Sequence, residues 1–533
     1  MLRPPNSLVS IVAGHMARRL SGRLRKLGNG VQAQQAAFQQ LSACLAHTAF
    51  GRDAGIETGL TYEQFRTRVA PQTYGQLRPY IDRMKRGEAD VLWPGHCTIF
   101  GVSSGTTDES PKQLPVTDAM LGHFHRAGRD SLLLYVMRAG HAGVYLGRQL
   151  LVGGTTALVP VDSDATTGAY AGNLSGIATL NLPGWARQHL YEPGHAIAQM
   201  TDWPAKLQAM AERTCHADIT LLAGIPNWIL EFAEVILARA RQGSDHYPTL
   251  QSLWPNLECL VHGGVPLGPF QDRLRSLAGP EVNFHEIYPS VEGFIAAQDD
   301  EASLGLRLLV DAGLFFEFLP MQDFDEDNLA NLGDRTVPIE GVRPGVDYVL
   351  LLTTPAGLCR YALGDIVHFV STHPPRLIYA GRTKLQLNAF GEHVIEKELT
   401  DALLAVCQGN GWQMVNFHAA PLFSTPALQQ ARGAHEWWIE LQPGTMRTPT
   451  GPLLAIDLDR ELAARNDNYA TKRQSGALRP PEVRLVMPGV FEKWMKENDR
   501  WGSQNIMPRC RCDRQIADQL AALTRFASGT PNP

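Results

Sequence analysis

Cys97-Thr-Ile-Phe-Gly-Val102 runs straight into Ser103-Ser-Gly-Thr-Thr-Asp108. The first half is short, apolar and β-branched, which reads as a buried strand. The second half is a run of hydroxyls around a glycine, a turn whose N–H and O–H groups can all donate to one acceptor. The same strand-then-turn pattern recurs at Leu150-Leu-Val152 before Gly153-Gly154, at Ile219-Thr-Leu-Leu-Ala-Gly-Ile-Pro226, and at Cys259-Leu-Val-His-Gly-Gly-Val265. Helical segments such as Trp228 to Arg241 lie between these strands. Strands alternating with helices specify an α/β fold with a largely parallel sheet.

Outward from this core the texture changes twice. Residues 31–90 read as mainly helical. From Leu306 to Phe318 and from Tyr348 to Phe369 strands follow in quick succession, which predicts a second, more antiparallel sheet. Beyond Gly381-Arg382 the chain reads as a small α+β domain: a helix over Val394 to Cys407, a strand over His435 to Leu441, a charged helix over Leu458 to Lys472, and a frayed tail from Ala527 to Pro533. The expected domains are therefore 1–382 and 383–533. A chain of 533 residues is too long for one core in any case.

With 44% hydrophobic and 19% charged residues, the composition is that of a soluble globular protein. A net charge of −5 over this length gives no support to nucleic-acid binding or a membrane-surface role. The eight cysteines are scattered, which argues for reduced thiols in a cytoplasmic protein. Cys510 and Cys512 have no second pair nearby to complete a zinc site. The N-terminal apolar run Leu8 to Met16 is followed, not preceded, by its strongest charge. It reads as an amphipathic helix packed on the body of the protein rather than a signal peptide, and no apolar stretch is long enough to cross a bilayer.

Five segments carry possible chemistry. Ser103-Ser104-Gly105-Thr106-Thr107, with Lys112 behind it, has the donors and positive charge to hold phosphate oxygens. It is not a Walker A loop, and taken alone such a segment is more often a plain turn. His262-Gly263-Gly264-Val265 lets a flat ligand approach the backbone, or is simply a tight strand-to-helix turn. Tyr288-Pro289-Ser290-Val291-Glu292-Gly293 offers an aromatic face, a hydroxyl, and a carboxylate suited to Mg²⁺. Asp365, after Gly364, can accept bonds from both hydroxyls of a ribose. Gly381-Arg382-Thr383-Lys384, followed by Asn388 to Glu392, places basic residues at a domain junction. His262 and His285 read as core histidines rather than catalytic bases, and the absence of a Gly-x-Ser-x-Gly elbow sets a serine hydrolase aside.

The order and spacing of these segments resemble the adenylate-forming, luciferase-like superfamily, and within it the Gretchen Hagen 3 family of auxin-responsive acyl acid amido synthetases. The resemblance runs from about Tyr74 to Arg509. Supporting phrases are Trp254-Pro-Asn-Leu-Glu258, Phe315-Phe-Glu-Phe318, Gly357-Leu-Cys-Arg-Tyr361, His435-Glu-Trp437, Asn468-Tyr469 with Lys472-Arg473, and Pro508-Arg509. It implies a large N-terminal adenylate-forming domain with mixed sheets and a smaller α+β domain hinged near residue 382. The implied cofactors are ATP and Mg²⁺, and the implied substrates a carboxylic acid and an amine such as an amino acid. No nucleic-acid or membrane partner is implied, and the chain is expected to be a monomer or weak dimer.

By position, the resemblance puts Ser103, Ser104, Gly105, Thr106 and Thr107 on the phosphates. Gly263, Gly264 and Val265 would line the adenine. Tyr288, Pro289 and Ser290 would flank the nucleotide, Asp365 and Arg382 would also bind it, and Glu292 would bind the metal. Ser104, Thr107, Lys112 and Arg382 take the catalytic roles. Gly172 to Ile177, Ile225 to Leu230 and Val265 to Phe270 are candidate walls of an acyl pocket for aromatic acids of the indole-acetate or benzoate type. Two departures stand out. Asp108-Glu109-Ser110-Pro111 sets acids beside the phosphate loop, and Ile506 stands where the family has a lysine before Pro508-Arg509. They keep two alternatives in view: an acid–thiol ligase of the coenzyme A type, and a catalytically impaired nucleotide- or acid-binding homologue.

Overall fold

The computed structural model of the chain describes residues 4–103, 111–161, 168–241, 248–390, 392, 394–423, 433–442, 450–498, 500 and 507–527, the side chains of 525–527 excepted. These residues form two compact units. The larger takes the chain up to Leu363 together with Val367–Ile378. The smaller takes Gly364–Ile366 and the chain from Tyr379 onward.

Helices dominate the start: α1 (Asn6–Leu27), α2 (Val31–Leu45), α3 (Ala49–Asp53), α4 (Tyr62–Arg68) and α5 (Tyr74–Lys85), with α6 (Asp118–Ala139) following the first strands. Capping fixes their ends. Thr61 Oγ1 accepts from the Gln64 N–H while the Gln64 side chain accepts from the Thr61 N–H. As read from the sequence, α1 is amphipathic and packs on the body, with Ala13, Ala17 and Leu20 buried against α6.

The strands up to residue 382 are β1 (Ile99–Ser103), β2 (Lys112–Pro115), β3 (Arg148–Val152), β4 (Val159–Pro160), β5 (Tyr170–Asn173), β6 (Tyr191–Glu192), β7 (Ile219–Gly224), β8 (Cys259–Gly263), β9 (Asn283–Ser290), β10 (Gly293–Ala297), β11 (Leu306–Leu308), β12 (Phe315–Pro320), β13 (Asp347–Thr353), β14 (Tyr361–Thr372) and β15 (Pro375–Arg382). One sheet runs β12-β13-β14-β15-β11-β10-β9-β8-β7-β3-β6, and a small one runs β2-β1-β5-β4. Strands β6, β3, β7, β8 and β9 are parallel. Both faces of this parallel part are covered, which is why its strands read as near-continuous apolar runs. Leu150, Val152, Leu222 and Leu260 face the helices Trp203–Thr214 and Pro226–Ala240. Leu221, Cys259 and Val261 face α1 and α6.

Three expectations need correction. The antiparallel strands do not form a second sheet. The β9–β10 hairpin reverses direction, and β10, β11, β12 and β13 pair antiparallel within the same large sheet. Continuing the ladder keeps the β10 edge hydrogen-bonded where a fresh sheet would leave it bare. The strand that opened the reading, β1, lies outside the large sheet and returns as a hairpin into β2, not as a helix. Leu458 to Lys472 is two helices, Gly451–Ala463 and Asp467–Gln474. Asn466 ends the first run by capping the second, its Oδ1 accepting from Tyr469 N at 2.7 Å. The tail beyond 527 lies outside the described residues.

The smaller unit is α+β. Its helix Glu396–Asn410 and the sheet Met414–Leu422, Ala434–Leu441 and Glu482–Val486 share a core of Leu399, Leu403, Phe417, Trp437 and Leu458. Among the described residues no helix is long and apolar enough to cross a membrane.

The antiparallel half of the larger unit is tied by a fully buried ion pair. Arg360 Nη2 lies 2.9 Å from Glu317 Oε1, with both side chains at 1% exposure or less. Arg360 Nε donates to both Glu317 oxygens at 3.1 Å, and the Nη1 and Nη2 donors go to the Arg66, Val69 and Gly333 carbonyls and to Thr336 Oγ1. Tyr62 OH donates to Glu317 at 2.9 Å, and burial pushes its phenol far above the ordinary range. Removing one partner strands the other charge. Glu317→Gln is expected to destabilise the chain by about 3–5 kcal/mol, and Glu317→Gln/Arg360→Met by clearly less than the two single changes summed. Urea midpoints followed by tryptophan fluorescence check this; additive losses would mean that the pair does not act as a unit.

Candidate active site

The larger unit brings three of the sequence segments together through strand register. β1 and β2 pair antiparallel with Ser103 opposite Lys112, so the two residues are cross-strand neighbours at the loop end of the hairpin. Lys112 Nζ lies 5.8 Å from the centre of the Tyr74 ring. Ser104, Gly105, Thr106 and Thr107, and the acids Asp108 and Glu109, lie outside the described residues. Tyr288 to Gly293 is the β9–β10 hairpin, with Ser290 opposite Gly293 and Val291-Glu292 as the turn. That turn seats on β1: a Cβ at Gly101 would lie 2.5 Å from Val291 Cγ1. Ser290 and Glu292 thus arrive beside the strand that ends in Ser103. Tyr288 and Glu292 are both largely buried, at 7% exposure.

The third segment joins by the next register. Gly263 pairs with Ile287, the residue before Tyr288. A Cβ at Gly263 would lie 2.3 Å from the Ile287 carbonyl oxygen, and Gly264 holds φ +83°. Both glycines are therefore required by the turn from β8 into helix Gly268–Ala278. Val265 continues that turn, half-buried.

The candidate acyl walls gather at the carboxyl ends of β3, β7 and β8, where open α/β sheets hold ligands. Val152 pairs with Gly224, and Gly224 with His262. A Cβ at Gly153 would lie 3.3 Å from Ser175 Oγ, one at Gly176 2.5 Å from Thr155 O, and one at Gly264 3.6 Å from Ile225 Cγ1. Here four buried polar atoms have no hydrogen-bond partner among the described residues: Thr156 Oγ1, Ser175 Oγ, Asn227 Oδ1 and His262 Nδ1. Buried polar groups are rarely left unpaired, so four near one set of strand ends point to a ligand or water that completes them.

In the smaller unit, Asp365 and Arg382 meet, with Arg382 Nε 3.2 Å from Asp365 Oδ1. Arg509, of the Pro508-Arg509 phrase, lies 3.7 Å from Glu396. Burial pushes the Glu396 carboxyl up and the Arg509 guanidinium down, each opposed by the other's charge. Ile506 lies outside the described residues.

Comparison with known proteins gives a consistent answer. The GH3 family N-terminal domain matches residues 24–282, the GH3 family central domain 307–382, and the GH3 family C-terminal domain 397–515. Relatives include indole-3-acetic acid-amido synthetase GH3.10 of Arabidopsis thaliana, 30% identical over 88% of this chain and 90% of its own length. Another is the probable indole-3-acetic acid-amido synthetase GH3.12 of Oryza sativa subsp. japonica, 24% identical over 91% and 92%. Among solved structures, an acyl acid amido synthetase, AtGH3.15 in complex with 2,4-DB, superposes with TM-score 0.74 at 18% identity, covering 98% of this chain and 97% of that one. A 2-hydroxyisobutyryl-CoA ligase superposes with TM-score 0.55 at 14% identity over 93% and 92%, a likeness of fold.

Two residues that the sequence did not single out hold this region in place. Lys206 is buried, and its ammonium donates to the Gly153, Gly154 and Ala198 carbonyls at 3.0, 2.9 and 3.1 Å. Burial pushes it down to about 8. Its signal was a lysine inside the i, i+3, i+4, i+7 stripe Trp203, Lys206, Leu207, Met210. His123 bridges the hairpin: Nδ1–H donates to Ala312 O at 2.9 Å and Nε2 accepts from Phe294 N at 2.8 Å. Burial pushes His123 and His262 down to about 4 and His285 to about 3, so the two histidines read as core are neutral core residues. An unfolded imidazole takes its proton near pH 6.5, whereas these take theirs only near 3 to 4. The unfolded state then binds more protons in that window, and folding stability falls as pH drops through it. The unfolding free energy from urea titrations is expected to fall by on the order of a few kcal/mol between about pH 7 and pH 4.5. A flat profile would count against neutral histidines here.

Proposed function

The chain belongs to the GH3 family, and from that premise we propose that it is an ATP-dependent acyl acid amido synthetase. A carboxylate oxygen attacks the α-phosphorus of ATP, the bond to the β-phosphate bridge breaks, and pyrophosphate leaves. An amine nitrogen, of an amino acid for instance, then attacks the acyl carbon of the adenylate. The C–N bond forms, AMP leaves, and the amine gives up a proton. The observation that carries the reading is the convergence of Ser103, Lys112, Ser290 and Glu292 through the seating of Val291 on Gly101. Catalysis in such a site is chiefly positioning and charge stabilisation.

In this reading Ser103, Ser104, Gly105, Thr106 and Thr107 take the phosphates with Lys112. Tyr288, Pro289 and Ser290 run along the nucleotide, and Asp365 with Arg382 takes the ribose side. The Glu292 carboxylate, on the turn that seats against β1, is the kind of hard oxygen donor that suits Mg²⁺. A metal at Glu292 would draw its other ligands from phosphate and water, as Mg²⁺ characteristically does. Bound there, it would neutralise charge on the leaving pyrophosphate. The acyl acid is one whose apolar body carries a hydrogen-bonding substituent. Thr156, Ser175, Asn227 and His262 supply polar atoms with no partner among the described residues, and Ile177, Ile225 and Leu230 are the apolar wall candidates.

ATP–pyrophosphate exchange over a panel of carboxylic acids tests the first step, and product analysis with amino acids and with thiols tests the second. Exchange with at least one acid and an amide product are expected; no exchange with any acid would overturn the reading. Glu292→Gln is expected to lower exchange by roughly 10²–10³-fold. Asn227→Leu is expected to weaken discrimination between hydroxylated and unsubstituted acids by up to about tenfold, the worth of one neutral hydrogen bond, while sparing exchange with the unsubstituted acid.

A further inference from the structure

The outward face of α1 is a feature that the amide-forming reading leaves unused. The helix is fixed on its inner side, with Ala13, Ala17 and Leu20 buried and Arg23 paired with Asp130 and Asp311. Its outer side is therefore held in a defined direction. In the first half of that side Leu8, Ile11 and Val12 are 50%, 65% and 49% exposed. In the second half Arg18, Arg19, Arg25 and Lys26 are all exposed and make no ion pair among the described residues. At 3.6 residues per turn all seven fall within an arc of about 140°. The whole 22-residue helix contains no Asp or Glu.

We infer that this face of α1 docks on an anionic lipid surface, the three aliphatic side chains entering the interface while the four cations meet lipid phosphates. Exposed aliphatics next to unpaired Arg and Lys on one helix face are the two components of interfacial attachment, apolar burial and attraction to anionic headgroups. The chain-wide charge of −5 averages this local excess away, so the composition-level expectation of no membrane partner does not reach it. A second copy of the chain fits less well, since a twofold pairing of this face brings four more cations and no acid to meet them. Nucleic acid would satisfy the cations but leaves the aliphatic triad without a purpose.

The full-length protein is tested by co-sedimentation with vesicles of phosphatidylcholine alone and of phosphatidylcholine mixed with phosphatidylglycerol. Binding to the mixed vesicles only is expected, weakening steeply as salt is raised. Arg18→Glu/Arg19→Glu is expected to weaken partitioning roughly tenfold or more, and Ile11→Ser/Val12→Ser to remove the part that survives high salt. Both variants change only solvent-facing side chains, so pyrophosphate exchange should match the parent. Failure to sediment with anionic vesicles, or equal sedimentation of the charge-reversed variant, overturns the inference. Lipid-free dimerisation lost in Ile11→Ser/Val12→Ser would assign the face to a second copy. Binding to duplex DNA as tight as to vesicles, and lost on charge reversal, would assign it to nucleic acid.

Discussion

A side chain that is absent governs the larger unit. Val291 occupies the space a Cβ at Gly101 would fill, 2.5 Å from where that carbon would lie, and protein interiors have no slack to absorb such an overlap. Two architectural events depend on this contact. The turn that carries Val291 is where the large sheet passes from parallel to antiparallel pairing. The strand that carries Gly101 leads into the hydroxyl run at Ser103. Fitting one onto the other converts the order of motifs along the chain into proximity in space. His123 holds the hairpin from its other side, and it does so as a neutral imidazole, because only that form can donate through Nδ1 and accept through Nε2 at once.

The buried Arg360–Glu317 pair anchors the antiparallel part in a different way. Desolvating two charges is costly, and the attraction between them offsets that cost only when every remaining donor is satisfied. Arg360 meets this condition, with three backbone carbonyls and Thr336 completing its guanidinium. Its backbone takes φ +45°, a conformation non-glycine residues seldom adopt. The neighbouring backbone is bound as well: Gln72 N donates to Arg360 O, and Ala362 N to Gln72 O. The start of β14, the strand that carries Asp365, is thus held by contacts on both side chain and main chain. The pair reads as a device for registering this strand more than as a source of net stability.

Periodicity carried most of the architecture. The apolar runs at Leu150, Ile219 and Cys259 are adjacent parallel strands because burial on both faces leaves that pattern. The order of motifs also pointed to the family. What periodicity could not convey was connectivity. Cys97 to Val102 has the composition of its neighbours in the pattern, yet it belongs to another sheet, since which strands pair is decided by contacts distant in sequence. Likewise the Leu458 to Lys472 pattern stays helical in composition across a break that a single cap, Asn466, imposes. Lys206 was legible as a charge inside an apolar stripe; its three carbonyl partners were not, because they come from two other segments of the chain.

The glycines near the candidate site change what can be asked of its backbone. Read as sequence, Gly263 and Gly264 invite a flat ligand. In the structure the first is required by the Ile287 carbonyl and the second by its left-handed φ, so protein packing alone accounts for both. A substitution at either would act through the strand pairing of β8 with β9 before it acted on any ligand. At the ends of β3, β7 and β8 the polar side chains with a buried atom that lacks a hydrogen-bond partner among the described residues are Thr156, Ser175, Asn227 and His262. A buried polar atom without a partner costs folding free energy. Four of them at one set of strand ends are retained against that cost, which is the pattern expected where a ligand or ordered water, rather than the chain itself, completes the hydrogen bonding.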